Sequence, residues 1–351
     1  MRLRVYSYGR EGFVVIDVAI LNVTGYAGLA AASLVQHHPH FRLVAVSGRG
    51  EAGKRLSQVF PFWDGPDLPI EETIPAAELV LCALPHGAAA AAVAPLHAAG
   101  SRVVDISADF RLRDAESYAR WYRTEHGAPD LLPGAVYGLP ELHRAAITGA
   151  TLVANPGCYP TAAILALAPA LAAGLIEPSV IVDAKSGISG GGRSLTLTNH
   201  FGEVDASTQA YGLAGHRHQP EIEQELSALA GRPVEVVFTP HLVPMVRGLL
   251  ATCYARLTGP VDPPALLEVY RTFYEGHPFT RVLAQPPATK WTSGTNQCLV
   301  YPAISRSGTT LVAVAAIDNL VKGAAGQAIQ NANLICGLPE DAGLALAPQY
   351  P

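Results

Sequence analysis

The strongest constraint on the fold is a strand–turn–helix–strand unit near the start of the chain. Val14 to Leu21 is a short run, apolar except for Asp17, that reads as a buried strand. Asn22-Val23-Thr24-Gly25-Tyr26-Ala27-Gly28 follows, then an apolar periodicity of helical spacing through about Val35. Phe41 to Ser47 is a second strand. This is βαβ order with a glycine-bearing turn, the arrangement that seats a dinucleotide pyrophosphate on a helix N-terminus. Thr24, Gly25, Tyr26 and Gly28 are therefore the expected cofactor residues. The usual pattern has three glycines, and Asn22 stands in the first position here. Asparagine tolerates the left-handed backbone region better than most residues, so the turn is expected to survive.

The end of the second strand narrows the cofactor. An acidic residue about 20 positions past the turn would bond a ribose 2′-hydroxyl. This chain has Ser47-Gly48-Arg49 there. A hydroxyl and a guanidinium suit a 2′-phosphate, which favours NADP over NAD. Arg49 also reads as an ordinary solvated cation. Leu79 to Leu84 and Arg102 to Ile106 are further buried strands. Ligands of parallel sheets collect at strand C-terminal ends. Leu84, Pro85 and His86 fall at one such end and are read on the cofactor side. Arg111, in Ser107 to Arg111 at the other, is a candidate anion clamp because its planar fork fits phosphate oxygens.

A different chemistry is centred on Ala154-Asn155-Pro156-Gly157-Cys158. Asn-Pro and Pro-Gly are turn dipeptides, the preceding Leu152 to Ala154 reads as a strand, and Ala162 to Ala173 reads as a helix. Cys158 then sits at a helix N-terminus, where free N–H groups and the helix dipole favour thiolate, the nucleophilic form. Most cysteines are small buried hydrophobes, but a tight polar turn is a poor core site. The other four cysteines read as structural. An odd, widely spaced set of five without a C-x-x-C pair argues for a reducing cytoplasm and against a disulfide framework or a zinc site.

Beyond Val180 to Ala184, four glycines fall within residues 187–192 between Ser186 and Arg193. Backbone N–H groups of such a loop can face an anion or substrate. Gly215-His216-Arg217-His218 then precedes a helix opening with Pro220 and Glu221. No third ligand follows at metal spacing, so a general base is the better reading than zinc. His218 is preferred over His216 as nearer the helix start and Glu221, which could orient it; spacing does not separate the two. Val234 to Phe238, Leu249 to Leu257 and Leu311 to Ile317 are strands, and a helix to about Leu334 follows Asp318 and Asn319. The expected fold is an α/β Rossmann-type domain plus an α+β domain with a mixed sheet.

With 351 residues, 49% hydrophobic and 15% charged, the chain can bury two cores. A net charge of −5 with scattered basic residues shows no nucleic-acid or membrane-surface patch. No apolar stretch is long enough to span a membrane, and no signal peptide is read. Residues 1–13 look like a tail or a start-site artefact outside the fold.

The motifs T-G-Y-A-G (24–28), A-L-P-H-G (83–87), S-A-D-F-R (107–111), N-P-G-C-Y-P-T (155–161), S-G-I-S-G-G-G-R (186–193), G-H-R-H-Q-P-E-I (215–222) and A-I-D-N-L-V-K-G (316–323) occur together from about Val15 onward. In this the chain resembles the N-acetyl-gamma-glutamyl-phosphate reductases of arginine biosynthesis, relatives of aspartate-semialdehyde dehydrogenases. A related branch acts on carrier-bound aminoadipyl phosphate in lysine biosynthesis and differs at Pro156 and Tyr159-Pro160. The resemblance implies an NADPH-binding domain, residues 14–157, completed by a C-terminal helix, 318–351. It implies a catalytic domain, residues 158–317, that also forms the interface of a homodimer or homotetramer. It implies a small acyl phosphate as substrate, Cys158 as acyl carrier, His218 or His216 as base, and Glu221 in support. Ser186, Gly187 and Asn319 would join the cofactor side, and Arg111, Asn155, Ser189 and Arg193 the substrate side. Asn22, Val23 and the N-terminal extension depart from the family pattern.

Overall fold

A computed structural model describes residues 15–350, so the tail read at residues 1–13 lies outside the described residues. The first sheet contains β1 (Ile16–Leu21), β2 (Phe41–Ser47), β3 (Ile70–Glu71), β4 (Leu79–Cys82), β5 (Arg102–Asp105), β6 (Val136–Tyr137) and β7 (Leu152–Ala154). Its order is β3-β2-β1-β4-β5-β7-β6, and every pairing is parallel. Strands buried on both faces explain the continuous apolar runs. The strand order reverses direction between β1 and β4, which opens a crevice at their C-terminal ends.

The second sheet contains β8 (Ile176–Gly187), β9 (Gln209–Ala210), β10 (Glu235–Val243), β11 (Leu249–Leu257), β12 (Thr280–Val282), β13 (Cys298–Ile304) and β14 (Thr310–Ile317). Its order is β12-β13-β14-β11-β8-β10-β9, with parallel and antiparallel pairs mixed. The Cys158–Ala172 helix lies in the core of this domain, with every residue from Tyr159 to Leu171 buried. A helix that is apolar on all sides has to be enclosed in this way. Pro169 cannot donate to the carbonyl of Leu165 one turn earlier. The Tyr274 hydroxyl donates there instead at 2.5 Å, and Tyr270 donates to the next carbonyl, Ala166, at 2.7 Å. The proline is thus accommodated without an orphaned acceptor.

After β14 the chain forms a π-helical turn, Val321–Ala325, and then the Gly326–Ile335 helix. That helix packs against the Tyr26–Gln36 and Pro140–Thr148 helices of the first domain. No helix or strand follows between residues 336 and 350.

Candidate active site

The cofactor turn is built as its residue types require. Asn22 adopts φ 62°, the left-handed conformation that glycine would ordinarily supply. Its side-chain amide donates to the Ala83 carbonyl at 2.8 Å, tying the ends of β1 and β4 together. A Cβ at Gly28 would lie 2.2 Å from the Asn22 carbonyl oxygen, so only glycine allows the helix to start this close to the turn. Gly25 caps the Tyr26–Gln36 helix without any side-chain bond, leaving its N-terminus open toward the crevice. This cradle fits a dinucleotide pyrophosphate. A cleft of about 1210 Å³ runs from Thr24, Gly25 and Tyr26 past Leu84, Pro85 and His86 to Cys158, Ser186 and the two histidines. His86 is held neutral mainly by burial and next by Arg217, whose guanidinium it touches. Arg49 lies just past β2 and is exposed. Ser47 is buried and its hydroxyl accepts the Asn22 N–H at 3.3 Å. It therefore braces the turn, and the cation rather than the hydroxyl is open to a ligand.

Cys158 is the first residue of its helix and is half-buried on the cleft floor. Burial pushes its thiol up to about 11, against the opposing influence of Arg111 and of the Tyr159 and Cys158 backbone N–H groups. The thiolate preference expected from the helix N-terminus is thus outweighed by burial in the free protein. The His218 imidazole is kept neutral, first by burial and then by His216, Arg111 and Arg217. Its Nε2 lies over the cysteine turn, since a Cβ at Gly157 would sit 2.6 Å from it and 2.8 Å from an Arg111 nitrogen. Arg111 NH1, which can only donate, approaches the same Nε2 at 3.4 Å, a contact that suits the tautomer with its lone pair at Nε2. His216 uses its Nδ1 to accept the His218 backbone N–H at 3.1 Å and is held down to about 4, chiefly by burial.

Glu221 does not orient either histidine. Its Oε1 accepts the Gly157 N–H and the Tyr137 hydroxyl, each at 2.7 Å, and its Oε2 faces Arg111 NH1 at 3.3 Å. One turn into the helix, the carboxylate points at the cysteine turn and away from the rings. Arg111 is buried and also donates to the carbonyls of Asn155 at 2.8 Å and Ile106 at 2.9 Å. Its fork is largely committed to building the turn, with one edge on the cleft. Asn155 is fully buried; its amide donates to Ala324 at 3.1 Å and accepts from Asn331 at 3.0 Å. It fixes the turn against the C-terminal helix and cannot reach a substrate.

The glycine loop separates into two parts. Ser186 lines the cleft, whereas Ser189 is buried and accepts from the Asn319 amide at 2.9 Å. Asn319 also accepts the Gly248 N–H at 2.7 Å, so it braces the loop from beneath. Gly187 is packed against backbone; a Cβ there would meet the Met245 and Val246 carbonyls at 2.8 Å. Arg193 reaches the first domain, donating to the Thr24 carbonyl at 3.1 Å, and so lies against the cofactor turn rather than beside Cys158.

Four contributors carry no role in the sequence reading. Arg217 and Tyr122 line the cleft mouth, with the guanidinium 5.7 Å from the Tyr122 ring centroid. Asp109 accepts the N–H groups of Gly87, Ala89 and Ala90 and so shapes the His86 loop. Gly323 backs directly onto the cysteine, where a Cβ would lie 2.7 Å from the Cys158 Cβ. A tight turn between a parallel-sheet domain and a mixed-sheet domain thus presents Cys158 and the neutral imidazoles of His216 and His218 to a dinucleotide-type crevice, an arrangement that suits hydride-transfer chemistry at a thiol.

Comparison with known proteins specifies it further. Residues 17–150 match the semialdehyde dehydrogenase NAD binding domain, and residues 158–319 match the semialdehyde dehydrogenase dimerisation domain. A relative from Dehalococcoides mccartyi, an N-acetyl-gamma-glutamyl-phosphate reductase, is 53% identical over 95% of this chain and 98% of its own. Another of that name, from Pelotomaculum thermopropionicum, is 48% identical over 96% of this chain and 99% of its own. The aspartate semialdehyde dehydrogenase II of Vibrio cholerae shares the fold, with TM-score 0.71 and 19% identity over 92% of this chain and 98% of that one. The chain belongs to the semialdehyde dehydrogenase family, and within it to the N-acetyl-gamma-glutamyl-phosphate reductases.

Proposed function

We propose that the protein reduces N-acetyl-gamma-glutamyl phosphate to N-acetylglutamate semialdehyde and phosphate in arginine biosynthesis, with NADPH as reductant. The observation that carries this reading is the placement of Cys158 on the floor of a cleft that begins at the cofactor turn. Thr24, Gly25, Tyr26 and Gly28 would hold the cofactor pyrophosphate, and Arg49 would favour the 2′-phosphate form. Residues 14–157 with 318–351 form the cofactor unit, and residues 158–317 the catalytic unit.

The Cys158 sulfur attacks the acyl-phosphate carbonyl as its proton passes to His218 Nε2. The carbonyl oxygen takes up the displaced electron pair beside the Cys158 and Tyr159 N–H groups; the Gly157 N–H is already held by Glu221. The pair returns, the carbon–oxygen bond to phosphate breaks, and a thioester on Cys158 remains. Arg111 and Ser186 border the departing phosphate. NADPH, when bound, supplies the hydride that a thioester accepts and a carboxylate does not. His218 returns its proton as the sulfur departs from the aldehyde carbon, restoring the free thiol.

The second sheet has helices on one face only. On the other, Ile181 is 48% and Val237 53% exposed, with Tyr254 beside them. This apolar face supports pairing of two copies through the mixed sheets. Five unpaired cysteines suit a reducing cytoplasm, and no helix among the described residues is long and apolar enough to cross a membrane.

A reverse-direction assay tests the substrate. With phosphate and NADP present, N-acetylglutamate semialdehyde should be oxidised and aspartate semialdehyde should not. Preference for aspartate semialdehyde, or turnover without phosphate, would overturn the assignment.

A further inference from the structure

We propose that Arg193, a residue of the second domain, reads the 2′-phosphate of the dinucleotide together with Arg49. The sequence places Arg193 at the end of a glycine loop that borders the substrate. The structure carries it across the cleft. Its NH1 donates to the Thr24 carbonyl, and its guanidinium lies 5.1 Å from the Phe60 ring centroid. Both partners belong to the first domain. Thr24 in turn packs on the end of β2, because a Cβ at Gly48 would lie 2.8 Å from the Thr24 Cγ2. Thr24, Gly48 and Arg193 therefore meet where a sheet of this order sets its ribose reader.

The electrostatics leave this guanidinium available. Glu51 is the acidic group near it, and the Glu51 carboxylate is engaged by Lys54 at 2.5 Å. Lys54 is also the main reason that carboxyl is held below its usual range, with Arg193 a minor contributor. No carboxylate forms an ion pair with Arg193 among the described residues. Its hydrogen bond to a carbonyl and its contact with an aromatic ring hold the planar group in place while keeping its charge. Ser47 is buried and its hydroxyl accepts the Asn22 N–H, so the exposed cations are the groups open to a 2′-phosphate. Two guanidiniums entering from opposite domains suit a phosphate dianion, which accepts paired N–H donors.

The consequence is that cofactor selectivity depends on both domains. The same loop that brings Arg193 to the 2′-phosphate also carries Ser186 to the cleft near Cys158. The cofactor and the reacting centre are thus recognised by two ends of one segment.

Binding to the free protein tests this without turnover. Isothermal titration with adenosine 2′,5′-bisphosphate, adenosine 5′-monophosphate, NADPH and NADH separates the 2′-phosphate from the rest of the cofactor. Arg193→Ala should weaken adenosine 2′,5′-bisphosphate and NADPH by about tenfold or more, as expected for loss of a charge-assisted pair. Affinity for the monophosphate and NADH should change by less than about twofold. Arg193→Lys, which keeps charge but loses the fork, should fall between. Arg193 is exposed, so neither variant disturbs a core. Equal losses for NADPH and NADH would overturn the proposal, as a pyrophosphate contact or a purely structural role would give that result. Unchanged cofactor affinity with a raised KM for the acyl phosphate would overturn it too, by returning Arg193 to the substrate. The inference rests on the NADPH reading above. A wild-type protein that binds NADH as tightly as NADPH would refute that reading before any variant is compared.

Discussion

Cys158 and His218 both line the cleft as neutral groups, with the His218 ring over Gly157. The thiol is pushed up to about 11 by burial, and the imidazole is held low by burial, then by His216 and two neighbouring arginines. A thiol raised above its ordinary range is protonated below that value, so the free protein carries little thiolate near neutral pH. Proton transfer must then accompany attack, which is what a base with a lone pair at Nε2 provides. Alkylation of Cys158 by iodoacetamide should accordingly rise with pH toward about 11, with no plateau near neutrality. A plateau near pH 7 would indicate a preformed thiolate–imidazolium pair and contradict this account. In turnover, His218→Ala should lose about 10²- to 10⁴-fold in kcat and His216→Ala less. The opposite ranking would move the base to His216. The cysteine and the histidine motif are legible in the sequence because turn and helix-start residues mark them. Glu221 is legible as a participant but not in its role. Its partners come from residues 111, 137 and 157, and only the folded chain brings these together.

At the scale of elements, the site depends on close backbone approaches. The Asn155-Pro156-Gly157 turn is clamped by Arg111, Glu221 and the C-terminal helix, and it is covered by the π-helical turn at Gly323. A methyl group at residue 157 would intrude on both His218 and Arg111. Gly157→Ala should therefore lower kcat/KM by about 10²-fold while leaving the circular dichroism spectrum unchanged, the scale expected for an ångström of misplacement at a reacting centre. Activity close to wild type would show that the turn has slack the structure does not indicate. The βαβ unit was readable from apolar runs and glycines, and Asn22 at φ 62° fulfils the expectation that asparagine can hold the left-handed position. Asn155 and Ser189 illustrate the limit of such reading. Both are polar residues in motifs beside the chemistry, yet both are buried and spent on internal hydrogen bonds. Sequence marks a residue as belonging to a site; it does not say which side of the backbone its side chain takes.

At the scale of the molecule, the cleft exists only because the two sheets are joined through the cysteine turn and the returning C-terminal helix. The first sheet supplies the cofactor turn, the segment before the Gln219–Ala230 helix of the second domain supplies the histidines, and Arg193 and Arg217 reach from the second domain to the first. The open face of the second sheet is legible only weakly in sequence, since the alternation of β8 and β10 looks the same whether water or another copy covers it. Val237→Asp with Ile181→Asp should shift sedimentation to a monomer, because two charges would be buried in an apolar contact. Retention of the wild-type oligomer would place the interface elsewhere. The central claim concerns the acyl group on Cys158, and intact-mass spectrometry reads it directly. Protein mixed with N-acetyl-gamma-glutamyl phosphate in the absence of NADPH should gain one N-acetylglutamyl group, located on Cys158 by peptide mapping, and release phosphate. Cys158→Ala should gain none and lose the reduction activity. Phosphate-releasing reduction that persists in Cys158→Ala would contradict the account.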